Sequence, residues 1–564
     1  MRDVVGIAVF ALVVALAPAA ALAAAASPVF YKTQDSDEWV TRTIQIQDKY
    51  ARVLVVTAGE APKSVSVAPL DLNARGASSP KAAEYAVTAV YKTLQEAADA
   101  SQGGDLVAVM PGTYAGFALD DKADAGDGKY IHFKAMGKPG EVIIDRPADG
   151  KDKNWMVMFA PAHHAILEGF NIVGATGPGL PQTGPQSGIF IAGGFVETGK
   201  LAHHIVILNN FSHNHKGWGM HSVDTHTVLM QGNCFALSSR EHSAYVSDGS
   251  DNYCIRRNVF FGSYCSGLQC NLDPRASLDK LVEIAGLTEF KGAAKTPESA
   301  QKLLAAAAEK FGDNNFPDGQ GLNFIIEDNV INENGQRGGG SLNLAGLKES
   351  VIQNNLIYNN LTTGVAMWDN GNDWDAGLAS PGPSAAKDVK GPESLPYWGC
   401  QRNLIRNNTV VMNVQGRPGI SLANGSWGNV VVNNVALNDI TESLDISNTS
   451  VYKTDSGWNV LNKVALNDMA ADMLGLAVVL DDKNHSTLGV TLERGEAEFV
   501  KANTQPWVII EGSWWRLNPD RPDFHPKAGS KLFAGTGEAS RMPAMDLDGQ
   551  PRKASDIGAY AAAK

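Results

Sequence analysis

Short apolar runs broken by asparagine recur along the middle of the chain. Six segments share an apolar–x–x–Asn–apolar pattern: VILNNF, IRRNVF, IIEDNVI, VIQNNLI, LIRNNTV and VVVNNVA; VLMQGNC is a weaker copy. The recurring residues are Asn210, Asn233, Asn258, Asn329, Asn355, Asn408 and Asn434, with successive gaps of 23, 25, 71, 26, 53 and 26 residues. A repeat of about 25 residues built from short β-type segments predicts a parallel β-helix, each coil laying its strands about 4.8 Å above the last. The two long gaps read as coils carrying an insertion or an irregular extra coil. Asparagine suits a stacked turn because it tolerates the left-handed backbone. Its amide also donates and accepts, so identical amides can form a ladder from coil to coil. The Leu-x-x-Leu-x-Leu spacing of leucine-rich repeats is absent, and a propeller blade needs about 40–45 residues.

The coil pattern begins near residue 94. Leu94 to Ala100 reads as a short amphipathic helix leading into GDLVAVMPGTY, residues 104–114, where Val107 and Val109 alternate as in a strand. The helix is expected to cap the solenoid, whose open end would otherwise expose apolar surface and a free sheet edge. The coils are expected over residues 91–445. Two insertions interrupt them: 274–316, with a helical stretch around Ser299–Phe311, and 370–398, rich in Gly, Pro, Asp and Trp. Residues 27–90 are β-leaning, and 446–564 read as an irregular closing segment that packs back along the coils.

Residues 1–26 read as a secretory signal: Arg2, an apolar run from Val4 to Leu22, then alanine-rich cleavage-like sites. The expectation is a secreted or periplasmic monomer with no membrane association after signal removal. The five cysteines, Cys234, Cys254, Cys265, Cys270 and Cys400, lack zinc-site spacing and read as small buried apolar side chains. With 60 acidic against 47 basic residues and a net charge of -13, nucleic acid is not expected as a partner. A hydrophobic content of 44% excludes a disordered chain.

GDLVAVMPGTY, the Asn-bearing coils and DLDGQPRKASDIGAYA near the C-terminus together resemble the exported right-handed parallel β-helix proteins of the pectate-lyase-like superfamily. The resemblance spans roughly residues 90–562. It implies an all-β right-handed solenoid. Members include polysaccharide lyases, glycoside hydrolases, uronan epimerases and proteins of no assigned activity. The Asn-Thr-Asp and Gly-His-Gly motifs of the pectin hydrolases are absent, so the reaction has to be argued from the site.

Aligning coils on their asparagines stacks GMHSVD (219–224), SAYVSD (243–248), GLQCNLD (267–273) and SLNLAG (341–346). Strand alternation then turns Met220 and Ser222 inward and His221 outward. The outward column is His221, Tyr245, Gln269 and Asn343, fading to Ala366 and Ser421. Five residues earlier in each coil stand Lys216, Arg240 and Tyr264; three residues after the column stand Asp224 and Asp248. Glu241, His242 and Asp251 add to the strip, and Trp368 and Trp374 of WDNGNDWD could stack on sugar faces.

These residue types suit β-elimination on an acidic, uronic-acid-containing polysaccharide. Neutralising the sugar carboxylate acidifies the C5 proton; Arg240 with Lys216, or a bound Ca²⁺, could do so. His221 or His242 is the expected base and Tyr245 the proton donor. Tyr264, Gln269, Asn343, Trp368 and Trp374 are the expected substrate contacts. Two carboxylates in adjacent coils repel unless one protonates or a cation bridges them, which makes Asp224 and Asp248, with Asp251, the calcium candidates; turn capping is the plainer role for Asp224 and Asp248. Paired carboxylates would also serve a glycosidase, with Asp273 or Asp369 as a second acid. A C5-epimerase would abstract the same proton without cleavage, and a carbohydrate-binding scaffold would do no chemistry.

Overall fold

A computed structural model of the chain describes residues 35–75, 81–120, 128–148, 154–175, 184–195, 199–273, 277–293, 297–311, 316, 318–337, 339–369, 399–412, 417–438, 440–447, 450, 459–461, 464–466, 499–501, 508–511, 514–530, 537, 539–552 and 556–561. The expected signal at 1–26, the expected 370–398 insertion and Trp374 lie outside the described residues.

Three long parallel sheets wind into a right-handed β-helix, one of 12 strands and two of 11. Sheet 1 contains Leu106–Val109 and Thr225–Gln231, sheet 2 contains Trp218–Val223, and sheet 3 contains Cys234–Ala236. Inward residues of all three sheets merge into one core that runs the length of the solenoid, from Leu54 and Val107 through Met220, Phe235 and Val246 to Leu444 and Ile446. Both Met220 and Ser222 point inward, as expected.

The asparagine ladder exists and is continuous. Asn233 Nδ2 donates to Asn258 Oδ1 (3.0 Å) and to the Ile207 carbonyl (2.8 Å), and the Asn233 backbone N–H donates to the same Oδ1 (3.0 Å). The pattern repeats from Asn210 to Asn434 and ends on Asn459. Each amide is buried, so each bond replaces water that cannot reach it. The long gaps are thereby explained. Asn258 bonds directly to Asn329 (3.1 Å) and Asn355 to Asn408 (2.9 Å), so both gaps hold insertions and no extra coil.

The two virtues expected of one asparagine are divided between neighbours. The left-handed residue is the one before the ladder: Asn209 (φ 54), Asn354 (φ 54), Asn407 (φ 51) and Asn433 (φ 58). Gly232 (φ 68), Arg257 (φ 56) and Asp328 (φ 55) hold that place in other coils. This division explains the Asn-Asn pairs in the repeat.

The capping helix spans Leu94–Ala100, closed by a Thr93/Glu96 capping box, and buries Leu94, Ala97 and Ala98 on the core. The helical insertion forms Ser277–Ile284 and Pro297–Phe311, which pack together with Phe195 and Phe316. The sheets reach beyond the expected 91–445 at both ends. Val53–Val56 sits between Ala89–Tyr91 and Leu106–Val109, and short strands at Val460–Leu461 and Val464–Leu466 extend the far end.

The chain ends cover two of the three outer faces. On sheet 1 the outward column Ile166–Val206–Leu229–Cys254–Ile325 packs against Trp39, Val40, Ile44 and Leu72. The fully buried Arg256 clamps that cover, donating to Ser36 Oγ (2.7 Å), Asp37 Oδ1 (2.7 Å), the Leu72 carbonyl (2.8 Å) and Asn73 Oδ1 (2.9 Å). On sheet 3, Phe211, Val259, Leu356 and Val435 pack against Phe499, Val508, Phe524, Ile557 and Tyr560 of the closing segment. All five cysteines are buried and free, matching the plain reading.

Replacing Asn233 with alanine is expected to lower unfolding free energy by about 3 kcal/mol, because it orphans buried groups on both adjoining coils. Replacing exposed Asn209 with glycine should cost less than about 1 kcal/mol, since only its left-handed backbone is needed. Urea unfolding of the two variants measures the contrast.

Candidate functional site

The outer face of sheet 2 differs from the other two. Among the described residues it carries no apolar cluster of the kind that covers sheets 1 and 3. Its register confirms the column derived from the repeat: His221 pairs with Tyr245, Tyr245 with Gln269, Gln269 with Asn343, Asn343 with Ala366, and Ala366 with Ser421. The column also runs backward, from His221 to Phe190 and Met158.

Side chains on this face touch in series. The His221 and Tyr245 rings stack with centroids 4.9 Å apart and 5° between planes. Trp218 lies 4.5 Å from His221, His242 lies 5.4 Å from Tyr245, and Trp155 stacks on Phe190 at 3.9 Å. On the other side Asn271 Nδ2 donates to the Tyr245 hydroxyl (3.3 Å), Asn343 Nδ2 donates to Gln269 Oε1, and Trp368 Nε1 donates to Asn343 Oδ1 (2.8 Å). The strip from Trp155 to Trp368 crosses seven coils, roughly 29 Å at about 4.8 Å per step. Trp155, Phe190 and Trp218 lie in or before the first coil aligned by asparagine, which is why the repeat did not reveal them.

The two histidines differ in what their nitrogens do. The Ser266 backbone N–H donates to His242 Nδ1 (3.0 Å), so neutral His242 carries its proton on Nε2, which lies 3.8 Å from the Glu241 carboxylate. His221 Nε2 lies 3.3 Å from Ser247 Oγ. That hydroxyl can donate to the Ser222 carbonyl (3.1 Å) or to Asp248 Oδ2 (2.9 Å), which leaves its lone pair for the His221 Nε2–H. His221 Nδ1 is then a buried lone pair with no hydrogen-bond partner. Burial holds His221 down to about 3, helped by His242 nearby, and burial alone holds His242 down to about 3. Both are neutral at ordinary pH. Burial pushes Tyr245 up to about 12, with Asp248, Asp273 and Glu241 adding to the rise against the Asn271 bond, so its proton stays on.

Cations line the turn before these strands. The Ser239 N–H bonds the His215 carbonyl and the Tyr264 N–H bonds the Ser238 carbonyl, each at 2.9 Å. Lys216, Ser239 and Tyr264 therefore form the stack, and Arg240 stands one residue beyond it. The Arg337 N–H bonds the Tyr264 carbonyl (3.0 Å), adding an exposed arginine on the next coil that the 71-residue gap had hidden. Arg240 is exposed, Lys216 half-buried, and Tyr264 is an exposed aromatic.

The expected calcium ligands are not gathered in this way. Asp224 is buried, left-handed (φ 50), and accepts the Gly249 N–H (3.1 Å); Asp248 is left-handed (φ 55) and accepts the Ser247 hydroxyl. Asp251 belongs to sheet 1 and accepts the Leu322 N–H (2.8 Å). These are turn and ladder bonds, and the three aspartates do not form a three-ligand group among the described residues.

No family model matches the chain, and no curated protein matches it in sequence. Solved structures similar to it include pectate lyase Pel9A, 14% identical over 91% of this chain and 97% of that one, TM-score 0.42. Others are an alginate lyase from Paenibacillus sp. str. FPU-7 (10%, 65% and 95%, 0.33) and the A-module of mannuronan C-5 epimerase AlgE4 from Azotobacter vinelandii (16%, 65% and 87%, 0.33). The fold assignment rests on the strand order and register of the chain itself, and by these it is a right-handed parallel β-helix.

Proposed function

We propose that this protein is a secreted polysaccharide lyase that cleaves an acidic, uronic-acid-containing chain by β-elimination on the outer face of sheet 2. One observation carries the reading: the outer face of sheet 2, without an apolar cover among the described residues, sets a neutral imidazole whose Nδ1 has no hydrogen-bond partner against a protonated tyrosine, beside a turn bearing Lys216, Arg240 and Arg337. The aromatic run from Trp155 to Trp218 and the Gln269–Asn343–Trp368 run offer sugar-binding surface on either side.

The chemistry follows from those groups. Lys216, Arg240 and Arg337 neutralise the uronate carboxylate, which stabilises negative charge developing at C5. His221 takes the C5 proton, which requires its ring to turn so that the Nδ1 lone pair, buried here, meets the substrate. The C–H electrons form the C4–C5 double bond, the C4–O bond breaks, and the leaving oxygen takes the Tyr245 proton. Solvent restores the proton to Tyr245 and removes the one on His221. His242, whose Nδ1 is already occupied, serves as a hydrogen-bond donor through Nε2. Since Asp224, Asp248 and Asp251 do not converge on one point, no step is routed through calcium.

Incubation with a panel of acidic polysaccharides is expected to produce ultraviolet-absorbing unsaturated uronyl ends. Reducing ends without that absorbance would mean a glycoside hydrolase. Proton exchange at C5 with chain length intact would mean an epimerase, and binding with no product a scaffold. His221→Ala and Tyr245→Phe should each lower kcat by about 100- to 10,000-fold, and Arg240→Ala should lower kcat/KM by about 100-fold or more, with unfolding midpoints unchanged.

The pH profile is a separate test. A base held at about 3 is ready above that pH, and a donor held at about 12 is ready below it. The kcat/KM profile should therefore show no limb near the ordinary imidazole value of about 6.5. An acidic limb there would show that the base of the free enzyme titrates as an ordinary imidazole, against the burial-lowered value of His221.

A further inference from the structure

Five of the chain's 12 histidines, His163, His164, His203, His204 and His226, lie together on the rim of sheet 1, away from the sheet 2 strip. Their grouping has a backbone cause. Alternation along a strand would send adjacent side chains to opposite faces. Here a left-handed residue interrupts it at His164 (φ 52), His204 (φ 54) and Thr227 (φ 58). Ala162 and Ala165 both enter the core, as do Ala202 and Ile205. The two residues between them therefore both face outward, so the first two coils each present a histidine pair and the third presents His226 with Thr227.

Stacking in register then builds a lattice of imidazoles. His163 stacks on His203 (4.6 Å, 12°) and His203 on His226 (4.9 Å, 20°), while His164 stacks on His204 (4.5 Å, 12°). Within each pair the Nδ1 atoms are 2.9 Å apart, in His163–His164 and in His203–His204. One nitrogen from each of His163, His164 and His203 falls within 4.8 Å of the other two, the one such three-ligand group among the described residues.

The same slots in later coils show what the fold itself needs. Position one continues from His226 to Asp251, and position two continues through Thr227 to Asn252 and Asn323. Those residues make structural bonds: Asn252 Nδ2 donates to Thr227 Oγ1 (3.0 Å), and Asn252 Oδ1 accepts from Asn323 Nδ2 (2.7 Å) and Trp39 Nε1 (2.9 Å). Asparagine and threonine thus satisfy the left-handed slot, and the histidines of the first two coils supply a chemistry the fold does not require.

We propose that His163, His164 and His203 form a transition-metal site that takes a late first-row divalent ion, with His204 and His226 as flanking donors. Three imidazoles suit Cu²⁺, Ni²⁺ or Zn²⁺, and the Irving–Williams order places Cu²⁺ tightest. Metal–nitrogen bonds of about 2.0–2.1 Å need donor atoms no more than about 4.2 Å apart, so binding requires the stacked His163 and His203 rings to rotate until their nitrogens converge on the ion. Without metal, one Nδ1 of each pair donates its proton to the other. On binding, that histidine shifts to the Nε2–H tautomer and both lone pairs face the ion, so no proton need leave the protein.

The site is tested on untagged full-length protein by calorimetric titration with CuCl₂ and with ZnCl₂ at pH 7.5. One tight equivalent of Cu²⁺ is expected, with weaker Zn²⁺ binding, and the Cu²⁺ resonance spectrum should show hyperfine structure from three imidazole nitrogens. His164→Ala/His203→Ala should weaken Cu²⁺ by about 100-fold or more. His525→Ala, which removes the histidine held between Asp523 and Asp548, should leave binding unchanged. Absence of a tight equivalent, or equal affinity in the double variant, overturns the proposal. Should the double variant melt early, His164→Gln is titrated instead, and unchanged affinity and hyperfine pattern there count against the site.

Discussion

Everything else in this molecule depends on the buried asparagine ladder. A side-chain amide inside a solenoid has no water, and leaving it unpaired would cost about 1–3 kcal/mol. Stacked in register, each Oδ1 receives both the backbone N–H and the amide of the coil before, while each Nδ2 also donates to a backbone carbonyl of the coil before its own. A coil that slipped by one residue would break several of these bonds and turn its apolar side chains outward. The ladder therefore locks register, and register decides which side chains form columns. It also tells where the chain can expand: the 71- and 53-residue gaps loop out between two asparagines that still bond each other.

Locked register makes three long faces, and the chain treats them differently. Sheets 1 and 3 present apolar columns that would be costly in water, and the two ends of the chain lie over them. Arg256 shows how tightly the first cover is held, its buried guanidinium satisfied by four groups from residues 36–73. Sheet 2 presents rings, amides and a hydroxyl instead. Its histidines and tyrosine are displaced from their ordinary ionisation by burial among one another, which keeps His221 neutral and Tyr245 protonated together.

Much of this was legible in the repeat. Aligning coils on asparagine put His221, Tyr245, Gln269 and Asn343 into one outward column because strand alternation and coil spacing are both local, periodic properties. The capping helix at Leu94–Ala100 was legible for the same reason. Legibility failed where periodicity failed. Trp155 and Phe190 precede the first ladder asparagine, Arg337 sits beyond an insertion, and Arg240 steps out of the turn stack by one residue. The paired histidines were hidden because a left-handed residue breaks the period of two. Asp224 and Asp248 were legible as turn residues, and the bond from the Gly249 N–H to Asp224 is of that kind; Asp251, read only as a calcium candidate, sits in a sheet 1 strand and accepts the Leu322 N–H.

By itself the sequence determined the solenoid, its coil length, the ladder and the column on sheet 2, since each follows from spacing along the chain and from the chemistry of asparagine. Only the tertiary structure decided which faces are closed, which nitrogen of each histidine is left with a lone pair, and which carboxylates are already occupied. The closed faces depend on contacts between segments far apart in the chain that do not repeat, such as Arg256 with Asp37 or Ala559 with Thr409, and the histidine and aspartate bonds depend on side-chain geometry between adjacent coils, so no period along the chain encodes them.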